Sequence, residues 1–206
     1  MRVTRHEQSC LLLEDHDARV VIDPGTLTFQ RLSVDDLGPL DAVLLTHRHA
    51  DHLDADAVAA LAARGATVVG NADVAVCLEG VVDVEVVRDG EQRDVAGFRV
   101  LARDLPHVEM VDGSPGPQNT GFLVDDRLFH PGDGMGLPGL VVDTLAVPIA
   151  GPSISNRDAY RFVQQTAARM ALPIHYDFFL ADPELFAKHC DIAEVVVLGL
   201  GESAEL

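Results

Sequence analysis

The chain has 206 residues, 48% of them apolar, which suits one well-cored domain and excludes a disordered chain. Its 15 Lys and Arg stand against 33 Asp and Glu, and the net charge of −18 weighs against nucleic acid or an anionic membrane as the main partner. Three cysteines without a C-x-x-C pair, and no apolar run near the roughly 20 residues of a membrane span, lead to the expectation of a reduced, cytoplasmic protein.

The predicted elements begin with short β-like runs at 9–13 and 19–22, joined by a polar turn at 14–17 and closed by Asp23-Pro24-Gly25. The run Leu11-Leu12-Leu13 is too short, and too soon followed by Glu14 and Asp15, to read as a signal peptide. Residues 26–40 read as irregular. A buried strand at 42–45 leads into His47-Arg48-His49-Ala50-Asp51-His52. Asp54 is placed to cap a helix over 55–64 that stops at Gly65, and Asn71 to cap another through 78 that ends at Gly80. Strands are expected at 67–69, at 81–87, where Asp83 and Glu85 alternate with valines, and at 98–101. Pro106, Pro115, Gly116 and Pro117 mark a surface loop over 106–118. Runs at 120–124 and 127–130 flank Asp125-Asp126 as a hairpin, and 141–149 reads as an apolar strand. The best helix starts at Ser155 or Asn156 and runs to about residue 171, followed by a short strand at 172–174, a helix from Pro183 to about Cys190, and a closing strand at 195–198. Grouped strands with interspersed helices predict one α/β domain over 1–206, two sheets between helices rather than a doubly wound parallel sheet.

The hexad 47–52 carries the chemistry. Three imidazoles and a carboxylate crowded at a strand end would repel one another if protonated, but make sense around a cation that uses a lone pair on each ring. Imidazole and carboxylate are donors for zinc or a neighbouring first-row metal. His47 and His49 alternate and so point the same way on extended chain, whereas Asp51 and His52 need a turn to join them. His107, Asp133 and His175 also stand where predicted strands run out, and are the candidates to complete a two-metal cage. His16 in a polar turn and His189 in a helix read as ordinary surface residues; His6, His130 and Arg48 read more simply as structural or solvated groups than as ligands.

The hexad, His107, Gly132-Asp133 and His175 occur in the order of the metallo-β-lactamase superfamily, which the whole chain resembles. Ile22-Asp23-Pro24-Gly25, Asn119-Thr120-Gly121 and Pro173-Ile174-His175 support the likeness. The resemblance implies an αββα four-layer sandwich, with two mixed sheets flanked by helices and a dinuclear metal centre at one sheet edge. By that resemblance His47, His49 and His107 bind a first metal, Asp51, His52 and His175 a second, Asp133 bridges both, and Asp23 orients a ligand histidine from behind. Asp51 and Asp133 are then the catalytic carboxylates. Leu53-Asp54 after the hexad, where glyoxalase II-like members carry Gly-Gly, resembles the branch of ascorbate-6-phosphate lactonases, N-acylphosphatidylethanolamine phospholipases and small metal-dependent hydrolases. Gly134, where Thr or Ser often follows the Gly-Asp pair, and the segment 151–155 depart from the pattern.

The activity implied is hydrolysis of a small ester, lactone or phosphoester by a hydroxide shared between two cations about 3.5–4 Å apart. Zinc is the first choice of metal, with manganese or iron as alternatives. The partner expected is a small-molecule substrate, without nucleic acid or membrane. Two other functions are weighed: a nuclease of the same superfamily, disfavoured by the charge and the missing basic patch, and a non-catalytic metal-binding or sensing protein, disfavoured because a structural zinc site closes with four ligands.

Overall fold

The computed structural model describes residues 1–15, 17–136 and 139–206. The first half contributes β1 (Arg2–Arg5), β2 (Leu11–Asp15), β3 (Ala18–Ile22), α1 (Thr26–Phe29), β4 (Ala42–Leu45), α2 (Ala55–Ala63), β5 (Thr67–Gly70), α3 (Ala72–Cys77) and β6 (Glu85–Val86). The second half contributes β7 (Gln92–Val95), β8 (Phe98–Asp104), β9 (Thr120–Val124), β10 (Leu128–His130), β11 (Thr144–Pro148), α4 (Asn156–Thr166), β12 (Met170–Ile174), α5 (Pro183–His189) and β13 (Glu194–Val195), and β14 (Ser203–Glu205) closes the chain.

These strands form two seven-stranded sheets, ordered β14-β1-β2-β3-β4-β5-β6 and β13-β12-β11-β10-β9-β8-β7. Each sheet is mixed in the same way. In the first, β14, β1, β2 and β3 pair antiparallel and β3 through β6 parallel. In the second, β7 through β10 pair antiparallel and β10 through β13 parallel. The last strand crosses over to pair with β1, so both chain ends meet at one edge of the first sheet.

Side-chain alternation builds the layers. Leu11, Leu13, Val20, Ile22 and Leu44 point between the sheets, where they meet Phe98, Val100, Phe122, Val124 and Leu172. The intervening Leu12, Val21, Val43 and Leu45 point outward under α2 and α3, against Val58, Leu61 and Val74. On the other side, Leu145, Val147 and Ala171 lie under α4 and α5, against Ala159, Phe162, Val163 and Phe186. Strands buried on both faces need near-continuous apolar runs, and β4, β11 and β12 have them. The predicted αββα sandwich is therefore present.

Several boundaries differ from expectation, each for a physical reason. Within 26–40 the chain makes one helical turn, α1, too short to leave a periodic signal. Of the strand expected at 81–87, only Glu85 and Val86 form a strand beside β5, continued by the Val87 N–H donating to the Gly70 carbonyl at 2.9 Å; Val82 and Val84 before them pack against the layer that holds Val74 and Leu78 of the α3 region. The long helix stops at Thr166, not near 171, because Ala167 turns left-handed (φ 46°) while Thr166 Oγ1 donates back to the carbonyls of Phe162 and Val163. The apolar residues beyond it belong to β12, which starts at Met170 rather than 172. β11 starts at Thr144, not 141, and the strand expected at 195–198 is the shorter β13 at Glu194–Val195. Strands β1, β7 and β14 had no sequence reading. The turn expected at 14–17 and the reading of His16 fall partly or wholly outside the described residues.

Phe122, fully buried between the sheets, supplies a measure of that core. Phe122→Ala is expected to lower unfolding free energy by about 3–5 kcal/mol in urea denaturation; a change under about 1 kcal/mol would contradict a close-packed inter-sheet layer.

Candidate metal centre

The direction of the strands determines where the chemistry gathers. β1, β3 and β4 run the same way in one sheet, as do β8, β10 and β12 in the other. Their carboxyl ends open at a common edge, where ligands of α/β sheets collect. Gln8 follows β1, Asp23 follows β3, the hexad follows β4, His107 follows β8, Asp133 follows β10 and His175 follows β12.

All seven sequence-predicted ligands converge there. One atom from each of His47, His49, His107 and Asp133 falls within 4.8 Å of the others, and Asp51, His52 and His175 make a second such group. The extended stretch 47–49 keeps His47 and His49 on one side, and a turn in which His52 and Leu53 both donate to the His49 carbonyl at 2.9 Å brings Asp51 and His52 round. Asp133 stands between the groups. Its Oδ2 lies 3.5 Å from His107 Nε2, and its Oδ1 lies 3.1 Å from His52 Nε2 and 3.3 Å from His175 Nε2. Asp51 Oδ2 lies 3.2 Å from His175 Nε2.

The imidazoles are held from behind. His52 Nδ1 donates to Asp23 Oδ2 at 2.7 Å, His107 Nδ1 to the Val108 carbonyl at 2.6 Å and His175 Nδ1 to the Ala150 carbonyl at 2.7 Å. His47 Nδ1 meets Thr46 Oγ1 at 3.0 Å, and that hydroxyl donates to Asp23 Oδ2. Each of these bonds places the ring proton outside and leaves the Nε2 lone pair facing inward. His49 presents the other nitrogen: its Nδ1 lies 3.2 Å from His47 Nε2.

Burial and charge fit the donor set to cations. Burial and the neighbouring His52 hold His47 well below its ordinary value, and burial with His107 lowers His49, so both offer neutral rings. Burial opposes ionisation of Asp133, yet His52 and His175 hold its carboxyl well below the carboxylate range; Asp51 is likewise lowered against its burial, by His175 and His52. In turn Asp133 and Asp23 raise His52, and Asp133 and Asp51 raise His175, each against the effect of burial. The carboxylates thus favour positive charge at these two Nε2 positions, whether a proton or a divalent cation carries it. His52 Nε2, His107 Nε2 and Asp133 Oδ1 are buried and make no hydrogen bond. Such atoms cost about 1–3 kcal/mol each when unsatisfied, and coordination would satisfy all three.

Backbone geometry explains two glycines of the motifs. A Cβ on Gly25 would collide with the carbonyl of Asp51, so the turn after β3 can support the hexad loop only as glycine. Gly132 is left-handed (φ 60°), and a Cβ there would strike Asn119 Oδ1 and Thr46 Oγ1. Asn119 Oδ1 also accepts from the Asp133 N–H at 3.2 Å, while its Nδ2 donates to the Pro131 carbonyl at 2.9 Å.

Outside the seven, the residues divide clearly. His130 is buried one turn behind Asp133: its Nε2 donates to the Ser9 carbonyl at 2.7 Å, and its Nδ1 accepts from the Gly132 N–H at 3.2 Å. His6 belongs to neither group, and His189 sits in the last turn of α5. Arg48 donates to Asp73 at 2.7 Å on the surface. Gln8 had no sequence reading. It is buried and left-handed (φ 58°), donates from Nε2 to Asp51 Oδ2 at 3.3 Å, accepts at Oε1 from the Phe178 N–H at 3.0 Å, and accepts on its backbone carbonyl from the His175 N–H at 2.9 Å. One residue thus ties Asp51 to the loop carrying His175. Only tertiary pairing reveals it, since a lone Gln in a polar turn carries no local signal. Asn71 does more than cap α3: its Nδ2 donates to the Thr46 carbonyl at 2.9 Å, fixing the strand end that carries the hexad.

An αββα sandwich with histidine and carboxylate ligands gathered at the strand ends defines a metallo-β-lactamase-type protein. The beta-lactamase superfamily domain matches residues 2–175. A protein of Mycobacterium tuberculosis is 31% identical over 180 residues, 85% of this chain and 84% of that one. A UPF0173 metal-dependent hydrolase of Methanopyrus kandleri is 31% identical across the whole of both chains. The fold matches that of a metallo hydrolase from Ignicoccus hospitalis with a TM-score of 0.81 at 21% identity, covering 98% of this chain and 97% of that one. The chain belongs to the beta-lactamase superfamily, and within it to the metal-dependent hydrolases of the UPF0173 type. Among the described residues, no helix is long and apolar enough to cross a membrane.

Asp23→Asn keeps the size of a fully buried side chain but weakens its grip on His52 and Thr46. Metal affinity in a competition titration with a chromophoric chelator is expected to fall about 10–100-fold; unchanged affinity would contradict the orienting role. Gln8→Leu removes the bond to Asp51 and the acceptor for Phe178, and is expected to weaken metal binding in the same titration while Gln8→Glu retains the Phe178 contact; equal affinity in wild type and Gln8→Leu would show that Gln8 only fills space.

Proposed function

We propose that the chain hydrolyses a small ester, lactone or phosphoester at a centre holding two divalent cations, zinc first among them. The observation that carries this reading is the position of Asp133, whose two carboxylate oxygens face different groups of ligands. In this reading His47, His49 and His107 hold one cation, Asp51, His52 and His175 the other, and Asp133 both. Histidine and carboxylate donors in these numbers suit zinc, and also manganese or iron. Bound there, the cations would supply Lewis acidity toward a substrate oxygen and would acidify water at neutral pH.

The remaining chemistry falls to the chain itself. Asp51, partly exposed at the cleft and held on Oδ2 by Gln8 and His175, is placed to orient the attacking water and receive its proton. His52 and His175 oppose that carboxylate from the buried side and keep it ionised. The outward hydrogen bonds of His47, His52, His107 and His175 hold the rings at their angles throughout a turnover, so that little reorganisation accompanies charge development. Five of the seven ligands, His49, Asp51, His107, Asp133 and His175, line a cleft of about 130 Å³, which suits a small molecule rather than a polymer. A larger hollow of about 520 Å³ lies around Asp15, Asp41, Phe98 and Asp125, and none of the seven candidate ligands lines it.

Purified protein stripped with a strong chelator is expected to lose hydrolysis across an ester, lactone and phosphoester panel and to regain it with added zinc or manganese. His49→Ala is expected to lower the recovered rate by roughly 10²-fold or more, the scale of lost electrostatic stabilisation. Activity that survives chelation, or an unchanged rate in His49→Ala, would contradict the proposal.

A further inference from the structure

The walls of the cleft differ sharply from its floor. Above the metal-ligand residues stand Val108, Met110 and Val111 from the loop after β8, Ile154 from the segment before α4, and Phe179 from the loop after His175. Among the described residues no Lys or Arg lines the cleft. The guanidinium of the hexad, Arg48, is turned away to Asp73, and Arg5 is buried against Asp177. The one charged wall residue among those described is Glu109, a further carboxylate. Met110 and Val111 are exposed, Val111 to 78%, so an apolar rim continues from the cleft to the surface.

Phosphoryl substrates carry charge on oxygens that do not react, and protein sites commonly meet those oxygens with Arg or Lys as well as metal. This cleft offers them Glu109 instead, on a chain of net charge −18. Apolar walls, by contrast, reward every methylene taken from water with about 0.8 kcal/mol, close to fourfold in affinity. We infer that the substrate is an uncharged carboxylic ester or lactone bearing a short apolar substituent, in preference to any phosphoester. This rests on the hydrolytic reading above and narrows it. The reaction balances without a further reactant: the water oxygen forms a bond to the acyl carbon and the bond from that carbon to the alkoxy oxygen breaks. One water proton passes to the departing oxygen, giving an alcohol, and the acid formed ionises to a carboxylate with release of the other proton. For a lactone both groups remain in one molecule.

The test is calorimetric binding to zinc-loaded protein of two chain-matched series, linear alkyl hydroxamates and linear alkylphosphonates, with ester hydrolysis measured separately. The hydroxamates are expected to bind more tightly than phosphonates of equal length, with affinity rising about three- to fourfold per added methylene until the cleft is filled. Val111→Asp, at an exposed position that leaves the core untouched, is expected to flatten that rise. Tighter binding of phosphonates, hydroxamate affinity independent of chain length, or no binding of either series overturns the inference. If the hydroxamate series behaves as expected and no ester is cleaved, the apolar preference of the cleft stands and the hydrolytic reading fails.

Discussion

The buried carboxylate of Asp23 is the interaction on which the site depends. It accepts from the Thr46 N–H at 2.8 Å, from the Thr46 hydroxyl at 2.7 Å and from His52 Nδ1 at 2.7 Å, and no part of it reaches solvent. A carboxylate so enclosed is tolerable only when hydrogen bonds satisfy it. By meeting that need, Thr46 and His52 fix the start and the end of the hexad loop, and through the Thr46 hydroxyl the bond reaches His47. Asp23 is itself left-handed (φ 50°), a conformation that costs a non-glycine residue of order 1 kcal/mol and persists where surrounding contacts demand it.

The second constraint is strand direction. Each sheet joins an antiparallel part to a parallel part, so alternate strands of one and successive strands of the other all release their chains at the same edge. Residues 124 positions apart, Asp51 and His175, thereby come within 3.2 Å. The two sheets are then stitched at that edge by polar contacts: the Thr120 N–H donates to the Thr46 carbonyl, His130 reaches Ser9, and Gln8 grips the loop after β12. A rigid, doubly buried scaffold behind and irregular loops in front are what a preorganised site requires, because loops alone would not hold ligand atoms to a few tenths of an ångström.

Much of this was legible in the sequence, and unevenly so. The hexad is dense enough in donors to declare itself, and the Asp-Pro-Gly and Gly-Asp turns mark the ends of β3 and β10 by local chemistry. Helix starts at Asp54, Asn71 and Ser155 were readable, since each side chain bonds a backbone N–H within its own first turn; the last helix was read from Pro183 alone, and Asp182 caps it in the same way. What escaped reading was decided at long range. β1 and β14 are edge partners whose pairing spans the length of the chain, and β6 is a strand only where β5 lies beside it. The end of α4 escaped because Ala167, Ala168 and Met170 are good helix formers and no glycine marks the stop. Gln8 escaped because its four hydrogen bonds run to residues at least 43 positions away.

Together these features describe a preformed cage of donors, with Asp133 between two sets of them. Anomalous diffraction from crystals of the zinc-loaded protein, recorded on both sides of the zinc edge, tests that claim most directly. The account predicts two peaks, one among His47, His49 and His107, the other among Asp51, His52 and His175, with Asp133 touching both. A single peak, or metal bound away from Asp133, would contradict it.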